Sequence, residues 1–315
     1  MTTTSKSISG ILAVDKIDGI TSHDLVSRAR RTLGMKKIGH AGTLDPFATG
    51  VMILLVGEGT KLSNYLMEGD KRYRATIVLG EKRDSGDLTG NVVEKRPCPA
   101  IDESTLLQSL ETLKGSSKQL PPMYSAIKKE GVPLYKYARK GIEVERSERD
   151  IFIHEIRLLH FSSDELTIEV SCSKGTYIRT LAEDIATALG TCGYLKRLRR
   201  LENGSFSLDH TITTEELGSR ETVLSKLISL DNSLAHMPSI EVKKEAVEKI
   251  LNGRHLVAEW LNRYDKKEGR DNKVKIVSPD GALLSIGELY SPLSALMDLP
   301  EKSVVGKSLR VFNNL

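Results

Sequence analysis

IGHAGTLDPFATGVMILLVG (residues 38–57) joins two unlike kinds of sequence. Its second part, VMILLVG (51–57), is a continuous apolar run bounded by turn residues, which reads as a buried strand. Its first part (38–50) is polar and punctuated by Gly39, Gly42 and Gly50, so it reads as a loop that turns tightly and lets backbone approach a ligand. Pro46 disfavours helix at the residue before it, Asp45. Read on residues alone, Asp45 is either a rigidly held carboxylate on a functional loop or a turn aspartate bonded to its own backbone.

Outward from that stretch, ILAVDK (11–16) reads as a short strand, and the helix after it as one capped by Ser22 and stopped at Gly34, with Leu25, Val26, Ala29 and Leu33 as its apolar stripe. KRYRATIVLG (71–80) alternates like a strand, and the turn-rich DSGDLTGN (84–91) leads into a returning hairpin strand. Residues 103–113 have helical spacing. Residues 119–150 break the rhythm with prolines, tyrosines and many basic residues. IFIHEIRLLHF (151–161) and LTIEVSCS (166–173) read as paired strands, and residues 176–190 as a helix ending at Gly190. After Met237-Pro238 the composition shifts to one helix and short strands with a turn at Pro279-Asp280-Gly281, read as a small β-rich domain. Strands and helices without a regular βαβ rhythm predict an α+β fold with a mixed, largely antiparallel sheet.

Composition adds bounds. The 315 residues are 39% hydrophobic and 28% charged, with a formal net charge of +4 and a pI of about 8.8. That balance permits an anionic partner without demonstrating one. No run is apolar enough to span a bilayer, and MTTTSKSISG reads as a short disordered lead-in rather than a signal peptide. Cys98, Cys172 and Cys192 form no metal-ligand spacing, and no phosphate-binding glycine loop or HExxH is present. The expectation is a cytoplasmic protein without metal or cofactor.

GHAGTLDPFATG resembles the catalytic motif of pseudouridine synthases, and in particular the bacterial tRNA pseudouridine synthase B family. Further stretches resemble that family in order: VDKIDGITSHDLV (14–26), KRYRATIVLG, DSGDLTGNVV (84–93), PPMYSAIKKEGVPLYKYARKGIEV (121–144), CSKGTYIRTLAEDIATALG (172–190) and LRRLENGSF (198–206). Ala41 stands where many relatives have threonine, and Ile17-Asp18 where a proline is common. The resemblance implies conversion of the T-loop uridine 55 of tRNA to pseudouridine, by a monomer without a protein partner. It also implies a catalytic domain over 1–237, with 119–150 as an RNA-binding insertion that closes over the RNA, and a PUA-like RNA-binding domain over 238–315.

The same resemblance assigns roles. Asp45 is the catalytic carboxylate, acting at ribose C1′ or on the 2′ proton, and Arg179 is its partner. Tyr73 stacks on the flipped base. Tyr177 and Leu198 line the pocket, His40 helps hold the RNA loop open, and Lys16 supports the site's loops. Rival readings stand beside these: Arg179 exposed on a helix, Tyr73, Tyr177 and Leu198 in the core, His40 buried against backbone, Lys16 on the surface. Three basic clusters offer phosphate-binding surface. They are Arg28, Arg30, Arg31, Lys36 and Lys37; Lys128, Lys129, Lys136, Arg139 and Lys140; and Lys196, Arg197, Arg199 and Arg200. A synthase of the same chemistry on another RNA, and a non-catalytic RNA chaperone, are the alternatives; a chaperone role beside catalysis is also compatible.

Overall fold

The computed structural model describes residues 8–265 and 271–313. Of the expected lead-in, residues 1–10, the first seven lie outside them, and its last, Gly10, already belongs to the first strand. The first part of the chain builds β1 (Gly10–Lys16), α1 (Ser22–Leu33), β2 (Ile38–Ala41), β3 (Thr49–Val56), α2 (Ser63–Met67) and β4 (Lys71–Leu79). A hairpin of β5 (Glu81–Arg83) and β6 (Val92–Lys95) follows, then α3 (Glu103–Thr112) and β7 (Gly115–Gln119). Residues 121–146 hold only a two-residue hairpin, β8 (Lys128–Lys129) with β9 (Val132–Pro133), and the short α4 (Leu134–Ala138). Then come β10 (Arg149–Phe161), β11 (Glu165–Cys172), α5 (Ile178–Ala188), β12 (Gly193–Asn203), β13 (Phe206–Ser207) and β14 (Thr211–Thr213).

One sheet runs in the order β14-β1-β3-β12-β4-β11-β10-β7, with β2 on β3 and β13 on β12. The β1–β14 and β3–β12 pairs are parallel and the others antiparallel, as an α+β reading requires.

The middle of the sheet is covered on both faces. Leu12, Val14, Met52, Leu54 and Val56 point into a core shared with α1, whereas Ile11, Ala13, Val51, Ile53 and Leu55 point into a second core on the opposite face. A strand with two buried faces has no polar side, so VMILLV reads as a continuous run. β4, β10 and β11 pack one face on α3 and α5 and leave the other to solvent, so they alternate.

The second core also contains Leu283, Ile286 and Phe312 from the C-terminal part. There β15 (Ser239–Val242), β16 (Leu256–Val257), β17 (Leu261–Tyr264), β18 (Lys273–Val277), β19 (Leu283–Leu289) and β20 (Val304–Val311) form a sheet of their own. Its third core packs around Trp260, Ile276 and Leu284. The two sheets therefore meet across a shared apolar layer. Lys61 adds a polar tie, its Nζ donating to the Val311 carbonyl at 2.7 Å and pairing with Glu58.

Two local expectations need correction. The cap of α1 is Thr21, whose hydroxyl accepts from the Asp24 N–H at 3.1 Å while Asp24 reaches back to the Thr21 N–H. Ser22 is buried instead, its hydroxyl exchanging hydrogen bonds with the backbone of Leu44. The stretch read as a loop from Ile38 begins as β2, paired along β3, and becomes loop only at Gly42.

Candidate active site

The loop after β2 is held from three directions. Ser22 fixes Leu44, at 3.0 Å to its N–H and 3.1 Å to its carbonyl. Lys16, at the end of β1, donates to the carbonyls of Pro46 at 2.9 Å, Ala48 at 2.6 Å and Ile17 at 3.0 Å. The Gly19 N–H takes the Pro46 carbonyl as well, at 3.0 Å. Gly42 and Gly50 sit at positive φ (85° and 102°), and a Cβ at Gly50 would collide with the Arg200 backbone. Gly39 is an ordinary strand residue with no such need.

The loop thus presents Asp45 to a cavity of about 530 Å³, shared with Tyr73, Tyr177, Arg179 and Leu198. Arg179 is 4% exposed on the first turn of α5, which removes the exposed reading. Its Nε meets Asp45 Oδ2 at 3.0 Å and its Nη2 meets Oδ1 at 3.3 Å, a two-point pairing that fixes the plane of the carboxylate. The remaining donors reach the Ser85 carbonyl at 3.0 Å and the Tyr124 carbonyl at 2.6 Å, with Asp87 at 3.7 Å. One guanidinium therefore joins the aspartate loop, the turn after β5 and the 121–146 segment. Asp87 is itself buried and accepts from Ser85 and Thr89.

Burial raises the Asp45 carboxyl above the ordinary carboxylate range, and Asp87 adds to the rise; Arg179 and Lys16 pull it down. Lys16 is fully buried, so it is no surface lysine, and burial lowers its pKa to about 8 against the pull of Asp18 and Asp45.

Tyr73 lies on β4 between Val170 of β11 and Arg200 of β12, 8% exposed, its phenol pushed up by burial. Leu198, also 8% exposed, forms an apolar wall from β12. Tyr177 caps α5 and is pinned by Gln119, which accepts its N–H at 2.7 Å and donates to its carbonyl at 3.1 Å. His40 sits on β2 beside the cavity rather than in its lining. Burial lowers its pKa, and its Nδ1 is buried without a partner. Thus five of the seven expected residues share the cavity, Lys16 braces its loop from behind, and His40 flanks it.

Arg200 departs from the expected surface cluster. It is 1% exposed, donating from Nε to the Val51 carbonyl at 2.7 Å and from Nη2 to the Gly42 carbonyl at 3.1 Å, and it lines the cavity. Lys71 was missed altogether. It is 8% exposed in the same lining, donates to the Met67 and Gly69 carbonyls, and burial lowers its pKa to about 8. Period-two spacing from Tyr73 places it on that face, whereas the buried role of Asp87 has no signal in DSGDLTG. Among the described residues no His, Cys, Asp and Glu cluster has the makings of a metal site.

Residues 30–178 match the family model for the TruB family pseudouridylate synthase N-terminal domain, and residues 179–234 the model for the tRNA pseudouridylate synthase B C-terminal domain. The chain is similar to the tRNA pseudouridine synthase B of Bordetella avium, 48% identical over 226 residues that cover 71% of this chain and 93% of that one. It is also similar to the protein of that name from Hydrogenovibrio crunogenus, 42% identical over 281 residues, 89% of each chain. Among solved structures, a chain of a Cbf5-Nop10-Gar1 complex aligns with a TM-score of 0.76 at 23% identity, covering 96% of this chain and 84% of that one. A chain of an H/ACA RNP bound to a substrate RNA containing 2′-deoxyuridine gives 0.75 at 22%, with the same coverage. At such identities these two likenesses speak for the fold alone.

Proposed function

This chain belongs to the TruB family of pseudouridylate synthases, and from that membership we propose how its cavity works on RNA. The protein is a tRNA pseudouridine synthase, an isomerase, and tRNA is its substrate; uridine 55 of the T loop is the site that the family acts on. The reaction detaches uracil from its ribose, turns it, and rejoins it through carbon 5. A uridine stacked in the T loop must leave its stack to reach a cavity walled by Tyr73 and Leu198.

The observation that carries the residue assignment is the two-point Arg179–Asp45 pairing on the cavity wall. Asp45 acts on the ribose as an ionised carboxylate, at C1′ or at the 2′ proton. Its raised pKa makes it more basic than a solvent-exposed aspartate, and Arg179 holds it charged and oriented. Tyr73 takes the face of the base, Tyr177 and Leu198 close the pocket, and Lys16 keeps the aspartate loop in place. His40, beside the cavity, faces the RNA loop that the uridine leaves.

The domain boundary near residue 237, an RNA-binding role for 119–150 and for the C-terminal sheet, cytoplasmic location, and action as a monomer without a protein partner belong to the same proposal. All the groups it needs come from this one chain. Tritium release from a T-arm stem-loop labelled at carbon 5 of the uridine tests it. The expected result is release by the wild type and a loss of roughly a thousandfold or more in Asp45→Asn, with RNA binding kept. Release that survives in Asp45→Asn would remove the carboxylate from the mechanism.

A further inference from the structure

Residues 121–146 reach the cavity through Ser125 and Ala126, and of the two only Ser125, 5% exposed, brings a polar side chain to the lining. Its backbone is fully committed: its N–H donates to the Met123 carbonyl at 2.9 Å, and its carbonyl accepts from the Tyr135 N–H at 3.1 Å. The carbonyl just before it, on Tyr124, is taken by Arg179 at 2.6 Å. Only the Ser125 hydroxyl is left, buried and without a hydrogen-bond partner. Buried hydroxyls are normally paired, so one left over at the edge of a binding cavity asks for a ligand atom.

Its surroundings say which kind. The Tyr177 phenol is close enough to Ser125 for its acidity to respond, and Arg149 and Arg179 act on the same phenol. Arg149 is an exposed residue on the cavity rim, with Lys174 near it. Lys174 faces Glu68 at 3.6 Å, and Asp150 is the acid on the rim. Two hydroxyls backed by an arginine suit a phosphate oxygen: both can donate to it, and the guanidinium balances its charge.

We infer that Ser125 is a substrate-positioning residue whose hydroxyl, together with Tyr177 and Arg149, binds a non-bridging oxygen of a phosphate flanking the flipped uridine. The inference rests on the proposed function and deepens it. Through the Arg179–Tyr124 contact, the segment that grips the phosphate also touches the group that orients Asp45. Gripping the RNA and aligning the carboxylate thus become one event.

The test compares wild type, Ser125→Ala and the near-isosteric Ser125→Cys, with circular dichroism confirming the fold. Substrates are the T-arm stem-loop and two copies carrying a single methylphosphonate, one on each side of the target uridine. On the unmodified RNA both variants lose about tenfold in kcat/KM, the size of one hydrogen bond to a charged group. On one methylphosphonate RNA the wild type suffers a similar loss and the variants lose nothing more, because the partner has already gone. Full activity in both variants, or an undiminished loss on both modified RNAs, overturns the phosphate contact. No tritium release by the wild type on the unmodified RNA is the separate failure of the function itself.

Discussion

The two faces of β4 carry the same kinds of charged side chain and use them in opposite ways. On the cavity face stand Lys71 and Tyr73, with Arg200 across on β12 and Arg179 above. On the other face Arg74 pairs with Glu169 at 2.7 Å, Arg157 with the same Glu169 at 2.8 Å, and Arg72 with Glu202 at 3.5 Å. The outer cations are wet: the Arg74 side chain is 52% exposed and that of Arg157 61%. The inner ones are dry: Lys71 and Arg200 donate mainly to backbone carbonyls, which bind a cation at a fixed place without neutralising it, and Arg179 alone meets carboxylates, those of Asp45 and Asp87. The cavity face therefore keeps the positive charge of Lys71 and Arg200 for an anionic substrate, whereas the outer face cancels its own. Exposed pairs contribute little to stability, whereas a buried charge stripped of its partner is costly.

The largest test of that contrast is Arg179→Met. It leaves Asp87 buried without its cation and strands Asp45, so about 3–5 kcal/mol of stability should go, together with activity. Urea unfolding measures it; a variant as stable as wild type would show that the guanidinium is there for RNA alone.

Lys16→Met comes next. The Ile17 and Ala48 carbonyls lose their Lys16 donor and that of Pro46 keeps only Gly19, so a loss of about 1–3 kcal/mol is expected along with weaker catalysis. This difference depends on pH. The folded lysine titrates at about 8 and an ordinary one at 10.5. Between those values the unfolded chain holds a proton that the folded chain has released, so Lys16 makes wild-type stability rise with pH there; below 8 its full penalty is present. Removing the lysine removes that rise. The wild-type advantage over Lys16→Met should therefore widen from pH 8 to 10, and a constant gap would contradict the lowered pKa of the buried lysine.

The smallest effect belongs to the outer face. Arg74→Ala should cost under about 1 kcal/mol and leave kcat/KM unchanged, since Glu169 keeps Arg157. A thermal melt shifted by more than a few degrees would mean that the outer ion pairs bear more of the fold than their exposure allows.

Much of this was legible in the chain, and the difference between what was and was not has a local cause. Apolar runs and alternations placed β1, β3, β4, β10 and β11, because strand burial is written directly in period-two pattern. Gly34 and Gly190 stopped their helices at positive φ, as glycine alone does freely. The Asp45–Arg179 pair came through motif likeness, and geometry then joined two residues 134 positions apart.

What only the tertiary structure decided concerns charge. Lys196, Arg197, Arg199 and Arg200 look alike in sequence. Yet Lys196 pairs with Glu165 and Arg199 with Asp15 near the surface, while Arg200 is buried. Irregularities in the β12–β4 register, between Leu195 and Arg197 and again between Arg200 and Glu202, shift which side chains turn inward. A buried arginine is tolerable only where carbonyls wait for it, and those of Gly42, in the loop after β2, and Val51, on β3, come from about 150 residues away. Ser125 is the same lesson in a neutral group: its sequence says serine on a basic segment, and only the folded cavity shows its hydroxyl buried without a partner. Pattern along the chain determines where the backbone goes; partners distant in the chain determine which polar groups are dry, and the dry ones are those this site uses.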